Sequence, residues 1–262
     1  MAKLTSEQDW DYSRYTPPSA AHFESITQKV GTWIDIARKN LPEAGTFLEL
    51  GCAPGYCSAV ISYKKKNISM TGVDFSPSAD SYLSTLKSIG TVNARLIKAN
   101  LFEFKPEIKY DVVGSFGLIE HFSGTDLEKI LSLHDESLKP GGTLIIEVPN
   151  FNGFPGLWHR IFDAPSYSLH NISAMQPRIF NVFRDLGYTE KFCGYVGSME
   201  VWGDSGAYRS DRKWLTQLTL ELEARINNFS RQKESNGSPL EGRMFSPALI
   251  FVAHKPLTVS KK

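Results

Sequence analysis

The strongest chemical signal in the chain lies between Glu49 and Gly55, where a glutamate precedes two glycines four residues apart. A short apolar run comes before this segment and apolar residues at helical spacing come after it, which predicts a strand, a tight turn and a helix. Glycines let the backbone bend sharply and a ligand approach closely, and the helix directs its positive end toward that ligand. The pattern therefore indicates a nucleotide pocket.

Spacing and charge limit which nucleotide this turn can hold. A dinucleotide fingerprint, G-x-G-x-x-G, would need glycines at positions 51, 53 and 56, where the chain has Gly51, Ala53 and Tyr56. Glu49 would repel a pyrophosphate, whereas it would attract a cofactor that carries an ammonium and a sulfonium. Asp74 ends a second predicted strand, at a distance that suits one βαβ unit, and an acid there commonly holds two ribose hydroxyls.

The elements that position these residues alternate between strand and helix from Phe47 to Val148, which predicts a parallel sheet with helices on both faces. We place strands near 46–50, 68–73, 94–98, 110–115, 142–149, 189–196 and 247–253. We place helices near 19–40, 56–64, 77–88, 124–137, 176–186 and 211–228. The last strand is expected to insert antiparallel beside the fifth.

Two stretches interrupt this alternation, and we interpret both as parts of a substrate lid. The first excursion, residues 151–175, is rich in aromatic residues, and the second, residues 198–245, contains the last predicted helix. Both lie beside the carboxyl ends of the strands, where open α/β sheets bind ligands. We therefore predict that the chain consists of an arm at 1–18, one domain at 19–256 and a tail at 257–262. The arm is either loosely packed or an aromatic flap over the cofactor.

Composition excludes several classes of partner. Lys and Arg total 29 against 28 Asp and Glu, so no strong field gathers nucleic acid or an anionic membrane. The three cysteines show no metal spacing and no paired framework, which suits a reducing cytosol. No stretch approaches the length of a spanning helix. We expect a cytoplasmic protein, a monomer or homodimer, whose partner is a small molecule.

At these motifs the chain resembles the class I S-adenosylmethionine (SAM) dependent methyltransferases. Glu49–Gly55 is similar to the family's first motif, E/D-x-G-x-G-x-G, with Ala53 in place of the middle glycine. Asp74 matches the ribose-binding acid, and Asn100 stands where the family has an Asp near the adenine amino group. An Asn carbonyl can accept the same hydrogen bond. Segments 110–122, 138–142 and 145–150 follow in the family's order, so the resemblance covers about residues 20–150 and the last strand.

The resemblance implies a Rossmann-like seven-stranded methyltransferase sheet with helices on both faces and an inserted substrate lid. SAM is the implied cofactor and S-adenosylhomocysteine (SAH) its product. The implied cofactor-binding residues are Glu49, Gly51, Cys52, Ala53, Gly55, Asp74, Phe75, Asn100, Leu101 and Phe116. No metal is expected, because catechol-type enzymes place metal-binding acids where this chain has Ser115 and Phe116.

Methyl transfer is an in-line displacement, so the enzyme gains mainly from alignment and from the exclusion of water. An alcohol or phenol acceptor needs a general base, whereas a carboxylate needs none and calls for an orienting Arg. The candidate catalytic residues are His121, His170 and Glu120, and the candidate substrate contacts are Tyr15, Trp158, Tyr167 and Arg160. For each histidine the alternative is a structural residue bonded to a loop carbonyl, and for the Arg an ordinary surface charge.

Other members of the fold are excluded by residue type. Residues 114–117, Gly-Ser-Phe-Gly, lack the Asn/Asp-Pro-Pro-Tyr pattern of enzymes acting on DNA bases and glutamine, and no Cys follows a Pro as cytosine C5 enzymes require. We therefore predict transfer to an oxygen of a small molecule such as a natural product, quinone or sugar. Two alternatives stay open: N-methylation of a small amine or peptide terminus, and a catalytically silent SAM-binding or adaptor protein.

Overall fold

The computed structural model describes residues 15–162, 164–198, 213–234 and 242–257. Its strands are β1 (Gly45–Leu50), β2 (Ile68–Asp74), β3 (Ala94–Lys98), β4 (Tyr110–Phe116), β5 (Leu138–Pro149), β6 (Thr189–Val196) and β7 (Ala248–His254). They form one sheet in the order β3-β2-β1-β4-β5-β7-β6. Strand β7 runs antiparallel to β5 and β6, and the pairs among β1 to β5 are parallel. The predicted seven-stranded Rossmann-like sheet, with its last strand antiparallel beside the fifth, is confirmed.

The described helices cover the sheet and also form part of the two excursions. They are α1 (Ala20–Thr27), α2 (Trp33–Lys39), α3 (Tyr56–Ser62), α4 (Tyr82–Ser88), α5 (Gly124–Ser137), α6 (Phe154–Phe162), α7 (Ala164–Ser168), α8 (Asn181–Asp185) and α9 (Lys213–Glu234). Short 3-10 turns at Pro77–Ser81 and Pro177–Phe180 lead into α4 and α8. Among the described residues, no helix is long and apolar enough to cross a membrane.

One predicted helix, over 19–40, is wrong, because the chain forms two helices there. The first helix ends at Thr27, and Gly31, in the turn that follows, adopts a left-handed φ of 73° that a helix cannot contain and that glycine adopts without a steric penalty. Thr32 then caps the second helix, its side chain accepting a hydrogen bond from the Asp35 backbone N–H at 3.2 Å. The Gly-Thr pair was the sequence signal for this break. Strand β5 also begins earlier than predicted, at Leu138.

Each face of the sheet carries its own apolar core, because successive strand residues point to opposite faces. Leu48 packs on one face with α5 and α8 residues such as Ile130 and Phe183. Its neighbour Phe47 packs on the other face with residues of α1 to α4, including Phe23. This two-sided burial fixes the carboxyl ends of β1, β2 and β4 along one edge, where the candidate site lies.

Candidate functional site

The glycine turn after β1 is anchored to the end of β2 by backbone hydrogen bonds. The N–H groups of Gly51 and Cys52 donate to the Val73 carbonyl at 2.9 and 3.3 Å. The Ala53 N–H donates to Oδ2 of Asp74 at 3.0 Å. The predicted cofactor residues of the first and second motifs are therefore brought together, and the two strand ends form one rigid platform.

Two positions in this turn require glycine. Gly55 has a φ of 99°, and a Cβ there would lie 2.9 Å from the Tyr82 Cα atom, which is backbone and cannot turn aside. Gly51 has a φ of 73°, and a Cβ there would lie 2.6 Å from Cδ1 of Leu118. Because Leu118 follows β4, the second contact also places the glycine turn directly against the turn after β4. The residue type at both positions is thus determined by left-handed backbone and close packing.

Glu49 lies at the base of the platform and is almost fully buried. Its carboxyl accepts a hydrogen bond from the Ser58 hydroxyl, which lies 3.1 Å from the Tyr82 hydroxyl. Burial raises the pKa of Glu49 to about 8, and the neighbouring Asp74 carboxyl makes a smaller contribution in the same direction. A cationic group placed nearby would favour ionisation, so Glu49 can exchange a proton for a positively charged ligand.

Asp74 ends β2 with its carboxylate already holding two backbone donors. Besides the Ala53 N–H, the Ser76 N–H donates to Oδ1 at 2.8 Å. A carboxylate offers about four acceptor sites, so two sites remain for ribose hydroxyls. The next residue, Phe75, exposes 43% of its surface, which is high for a large apolar ring and suits a side chain that covers a ligand.

The segment after β3 carries the residues predicted to face the adenine. Asn100 is exposed, and its Oδ1 accepts a hydrogen bond from the Phe102 N–H at 3.0 Å, which fixes the side chain in a local turn. Leu101 is buried behind it. Phe116, at the end of β4, is also buried and packs against Trp33 at a centroid distance of 5.1 Å. Whether these residues bind a cofactor stays a prediction.

A second group of residues, with titratable side chains, follows β4. The Gly117 N–H donates to the Glu147 carbonyl at 3.0 Å, and the turn continues into Glu120 and His121, both buried. Glu120 Oε1 lies 3.5 Å from His121 Nε2. Burial raises the pKa of Glu120 well above its ordinary value, and the Glu147 carboxyl contributes in the same direction. This is a buried site with closely spaced titratable groups.

The first excursion is joined to this turn by three hydrogen bonds. His121 Nδ1 lies 3.2 Å from the Leu169 carbonyl, which can only accept, so this nitrogen carries the proton. The Asn171 N–H donates to the Glu120 carbonyl at 2.6 Å, and Asn171 Nδ2 donates to the Phe122 carbonyl at 2.8 Å. The segment around position 170 is thereby fixed against the end of β4.

This docking brings the two predicted catalytic histidines, His121 and His170, into contact. Their ring centroids are 4.7 Å apart. The His170 ring also lies 4.8 Å from Phe151, whose other neighbours are the rings of Tyr167 at 6.0 Å and His159 at 4.6 Å. The result is an aromatic group beside Glu120, in which apolar ring faces surround a few polar atoms.

Other predicted substrate contacts lie elsewhere in the excursion. Trp158 is buried in a separate apolar cluster with Phe162 at 4.4 Å and with Phe245, so its ring belongs to the interior of the excursion. No described residue accepts a hydrogen bond from its indole N–H. Arg160 is exposed on α6. The structure thus groups Tyr167 with the histidines and does not group Trp158 with them.

The predicted aromatic arm falls almost entirely outside the described residues, which begin at Tyr15. The Tyr15 side chain lies beside Thr85 of α4 and Cys57 of α3, and burial raises its pKa. Thr85 in turn donates to the Pro54 carbonyl at 3.1 Å. Tyr15 is therefore near the glycine turn, on the cofactor side of the edge. Its role as a substrate contact stays a prediction.

Two residues at this edge were missed by sequence reasoning. Glu147 is buried in β5, and burial raises its pKa to about 8. An acid inside the apolar run Ile-Ile-Glu-Val was the available signal, because strand interiors rarely contain an isolated carboxyl. Asn171 fixes the excursion through hydrogen bonds of its side-chain amide and carbonyl, and no local sequence pattern marks it.

Comparison with known proteins gives a family match over the same elements. The model of a family described as "Methyltransferase domain" matches residues 22–190, which is more than half of the chain. A trans-aconitate 2-methyltransferase from Enterobacter sp. (strain 638) is 26% identical over 146 residues, which are 54% of this chain and 52% of that protein. The chain thus spans about half the length of this curated relative.

Solved structures share the fold at low sequence identity. A SAM-dependent methyltransferase from Thiobacillus denitrificans in complex with SAH superposes with a TM-score of 0.52, at 17% identity, over 90% of this chain and 98% of that chain. Phosphoethanolamine N-methyltransferase 2 from Haemonchus contortus, in complex with SAM, superposes with a TM-score of 0.57, at 16% identity, over 96% of this chain and 60% of that chain.

Proposed function

Because this chain belongs to the methyltransferase-domain family of class I SAM-dependent enzymes, we propose that it transfers the methyl group of SAM to an oxygen of a small molecule. The observation that supports this most directly is the docking of His170 against Glu120 and His121, at the carboxyl end of β4. That edge also carries the glycine turn, so a donor and an acceptor would meet there.

The cofactor would lie across the platform formed by β1, β2 and β4. The ten residues named above, from Glu49 to Phe116, are its proposed contacts. Asp74 has acceptor sites left for the ribose, and Glu49 offers a carboxyl that ionises near a positive charge. These features match a nucleoside with a ribose at one end and cationic groups at the other.

The two excursions would serve as the substrate lid. The rings of Phe151 and Tyr167 lie nearly parallel, with an interplanar angle of 8°, and with His170 they form an apolar wall. Such a wall excludes water from the transfer and favours an acceptor with a flat or apolar body. Arg160, exposed on α6, could orient an anionic group of that acceptor, and Tyr15 and Trp158 remain candidate contacts.

The reaction is a single displacement. The acceptor oxygen attacks the methyl carbon, the bond between carbon and sulfur breaks, and its electron pair stays on the sulfur of SAH. An alcohol or phenol also loses a proton, and the Glu120–His121–His170 cluster is where we place that loss, with a histidine as the base predicted from the sequence. The proton on His121 Nδ1 is held by Leu169, so Nε2 is the nitrogen that can accept.

An amine acceptor is the second candidate, since relatives of the same fold include an N-methyltransferase. An amine brings its own lone pair and needs little help from a base. We favour oxygen because a two-histidine cluster matches the need to remove a proton from an alcohol or phenol. The acceptor in the name of the curated relative, trans-aconitate, also has only oxygens as heteroatoms, but these are carboxyl oxygens, which would need no base. The silent-adaptor alternative predicts cofactor binding without turnover.

The test is methyl transfer from isotopically labelled SAM to matched acceptors that differ in one atom. Each apolar ring compound would be offered as a phenol, an aniline and a carboxylic acid, and products would be identified by mass spectrometry. Transfer to phenols or acids but not to anilines supports the proposal. Transfer to anilines alone would replace it with N-methylation, and cofactor binding without any product would favour the adaptor.

A further inference from the structure

The cluster of Glu120, His121 and His170 has a second chemical property besides basicity. One ligand atom from each residue, a carboxylate oxygen or a ring nitrogen, lies within 4.8 Å of the other two. We propose that these three residues form a binding site for a divalent metal ion, with Zn²⁺ as the best match. Two imidazoles and one carboxylate are a common set of protein ligands for zinc with an open coordination position.

The spacing is close to what an ion requires. Zinc ligands at about 2.0–2.2 Å in tetrahedral geometry lie about 3.4 Å apart. Glu120 Oε1 and His121 Nε2, at 3.5 Å, already meet this separation. No two ligand atoms in the cluster lie more than 4.8 Å apart, so any pair would have to close by about 1.4 Å at most, a movement that side-chain rotation can supply.

The hydrogen bond on the far side of the His121 ring is also typical of a metal site. Metal-bound histidines almost always donate their other ring N–H to a carbonyl or carboxylate, which orients the lone pair toward the ion. His121 does this with the Leu169 carbonyl at 3.2 Å, so Nε2 points its lone pair toward Glu120. Two acceptor atoms that face each other repel, unless a proton or a cation lies between them.

Glu120 supplies an independent observation. Its side chain is 1% exposed, and no described residue donates a hydrogen bond to Oε2. An unsatisfied buried acceptor costs about 1–3 kcal/mol, and more when it is charged. A divalent cation bound to Glu120 would displace any proton on the carboxyl and satisfy the buried oxygen.

The role of such an ion in catalysis rests on the proposed function. With zinc bound, the acceptor oxygen would occupy the open coordination position, where the positive charge lowers its pKa and the proton leaves to solvent water. The ion would then take the place of the histidine base, and the histidines would act as ligands. The subsequent transfer is unchanged: the oxygen bonds to the methyl carbon and SAH leaves with the electron pair.

The experiment measures Zn²⁺ binding to the tag-free full chain after removal of metal with EDTA and dialysis. Equilibrium dialysis against Zn²⁺, with a competing chelator, gives the stoichiometry and affinity for the wild type, His170→Ala, Glu120→Gln and His254→Ala. His254 is a matched control, because it is a histidine at the end of β7, outside the cluster. The SAH-induced thermal shift of each variant verifies that it is folded.

We expect one Zn²⁺ per chain for the wild type and His254→Ala, and at least a 100-fold weaker affinity for His170→Ala and Glu120→Gln. Equal binding by all four proteins, or no stoichiometric binding by the wild type, overturns the metal site. Methyl transfer at full rate by the metal-free chain overturns its catalytic role and leaves the proposed function intact. One Zn²⁺ per chain without transfer to any acceptor supports the site and removes the proposed function.

Discussion

The sheet edge that holds the candidate site has two parts that are built in different ways. We call the part around the Glu49–Gly55 turn and Asp74, where we propose that the cofactor binds, the cofactor edge. We call the part around Glu120, His121 and His170, where we propose that the acceptor binds, the acceptor edge. At the cofactor edge, the contacts join the ends of neighbouring parallel strands, such as Ala53 to Asp74, and backbone groups make most of them. At the acceptor edge, the contacts join residues about fifty positions apart, such as His121 and Leu169. The first edge follows from a local strand-turn-helix pattern, whereas the second depends on how an irregular excursion docks.

This difference indicates that the cofactor edge and the acceptor edge can change independently of each other. A family can keep the platform for one cofactor while the excursion changes the acceptor. It also predicts that substitutions at one edge leave the function of the other edge largely intact. The following substitutions test this separation, from the largest expected effect to the smallest.

Removal of either clustered histidine should produce the largest effect. We expect His121→Ala and His170→Ala to lower kcat about 10²–10⁴-fold, because the cluster activates the acceptor. The dissociation constant for SAH should change less than threefold. Isothermal titration with SAH and turnover of labelled SAM measure the two quantities. His254→Ala is the control, and unchanged turnover in both cluster variants would remove the histidines from the chemistry.

The pH dependence of SAM binding should be the next largest effect. Glu49 has a pKa of about 8 in the unliganded chain, so it is protonated at pH 6 and must lose this proton to pair with a cationic ligand. The association constant for SAM should therefore rise nearly tenfold per pH unit from pH 6 toward 8 and then level off. Titration calorimetry at several pH values measures this rise.

Glu49→Gln provides the matched control for that pH dependence. The amide keeps the size and the hydrogen-bonding capacity of the side chain but has no proton to lose. SAM binding to this variant should be weak and nearly independent of pH between 6 and 8. A wild-type profile that is equally flat would mean that Glu49 does not exchange its proton for the positive charge of the ligand.

A methyl group added at Gly55 should weaken cofactor binding and leave the acceptor edge unchanged. Gly55→Ala adds a Cβ 2.9 Å from the Tyr82 backbone at a φ of 99°, so the turn must shift. We expect at least a tenfold loss of SAH affinity and a lower unfolding temperature. Gly90→Ala is a close control, since its φ is 81° but no atom lies within 4 Å of the added Cβ. Equal losses in both variants would assign the effect to backbone strain alone.

The smallest effect should follow from loosening the excursion. Asn171→Ala removes the side-chain hydrogen bond to the Phe122 carbonyl and leaves the backbone bond to Glu120 in place. We expect KM for the acceptor to rise about threefold to tenfold, with SAH affinity unchanged. Steady-state kinetics at saturating SAM measures this. A loss of SAH affinity of similar size would contradict the independence of the two edges.

The strands and the turn that form the cofactor edge follow from the sequence because their determinants are local. The Glu49–Gly55 pattern, the acid at position 74 and the alternation of strands and helices all act over short separations, and the strand order agrees with them. The break at Gly31 was lost because the apolar spacing on both sides is continuous with one helix. The second helix begins where Thr32 caps it, a signal that hydrophobic periodicity does not contain.

The acceptor edge was predicted only as a set of residue types. The place of His121 after the fourth strand and of His170 in the first excursion predicts that each can reach the acceptor, but nothing in their separation of 49 positions indicates that the rings meet. Trp158 is predicted as a substrate contact because the excursion is rich in aromatic residues, whereas in the structure it packs with Phe162. Such contacts come from tertiary docking, here through Asn171 and the Leu169 carbonyl, which have no local pattern.

The most direct test of the account is thermal unfolding of the chain with SAH, and with NAD in parallel. At one hundred times its dissociation constant a ligand stabilises by about 2.7 kcal/mol, which for this chain length raises the midpoint by roughly 5–10 °C. We predict that shift with SAH and none with NAD. No shift with SAH, or a shift with NAD alone, would contradict the assignment of the Glu49–Gly55 turn to SAM.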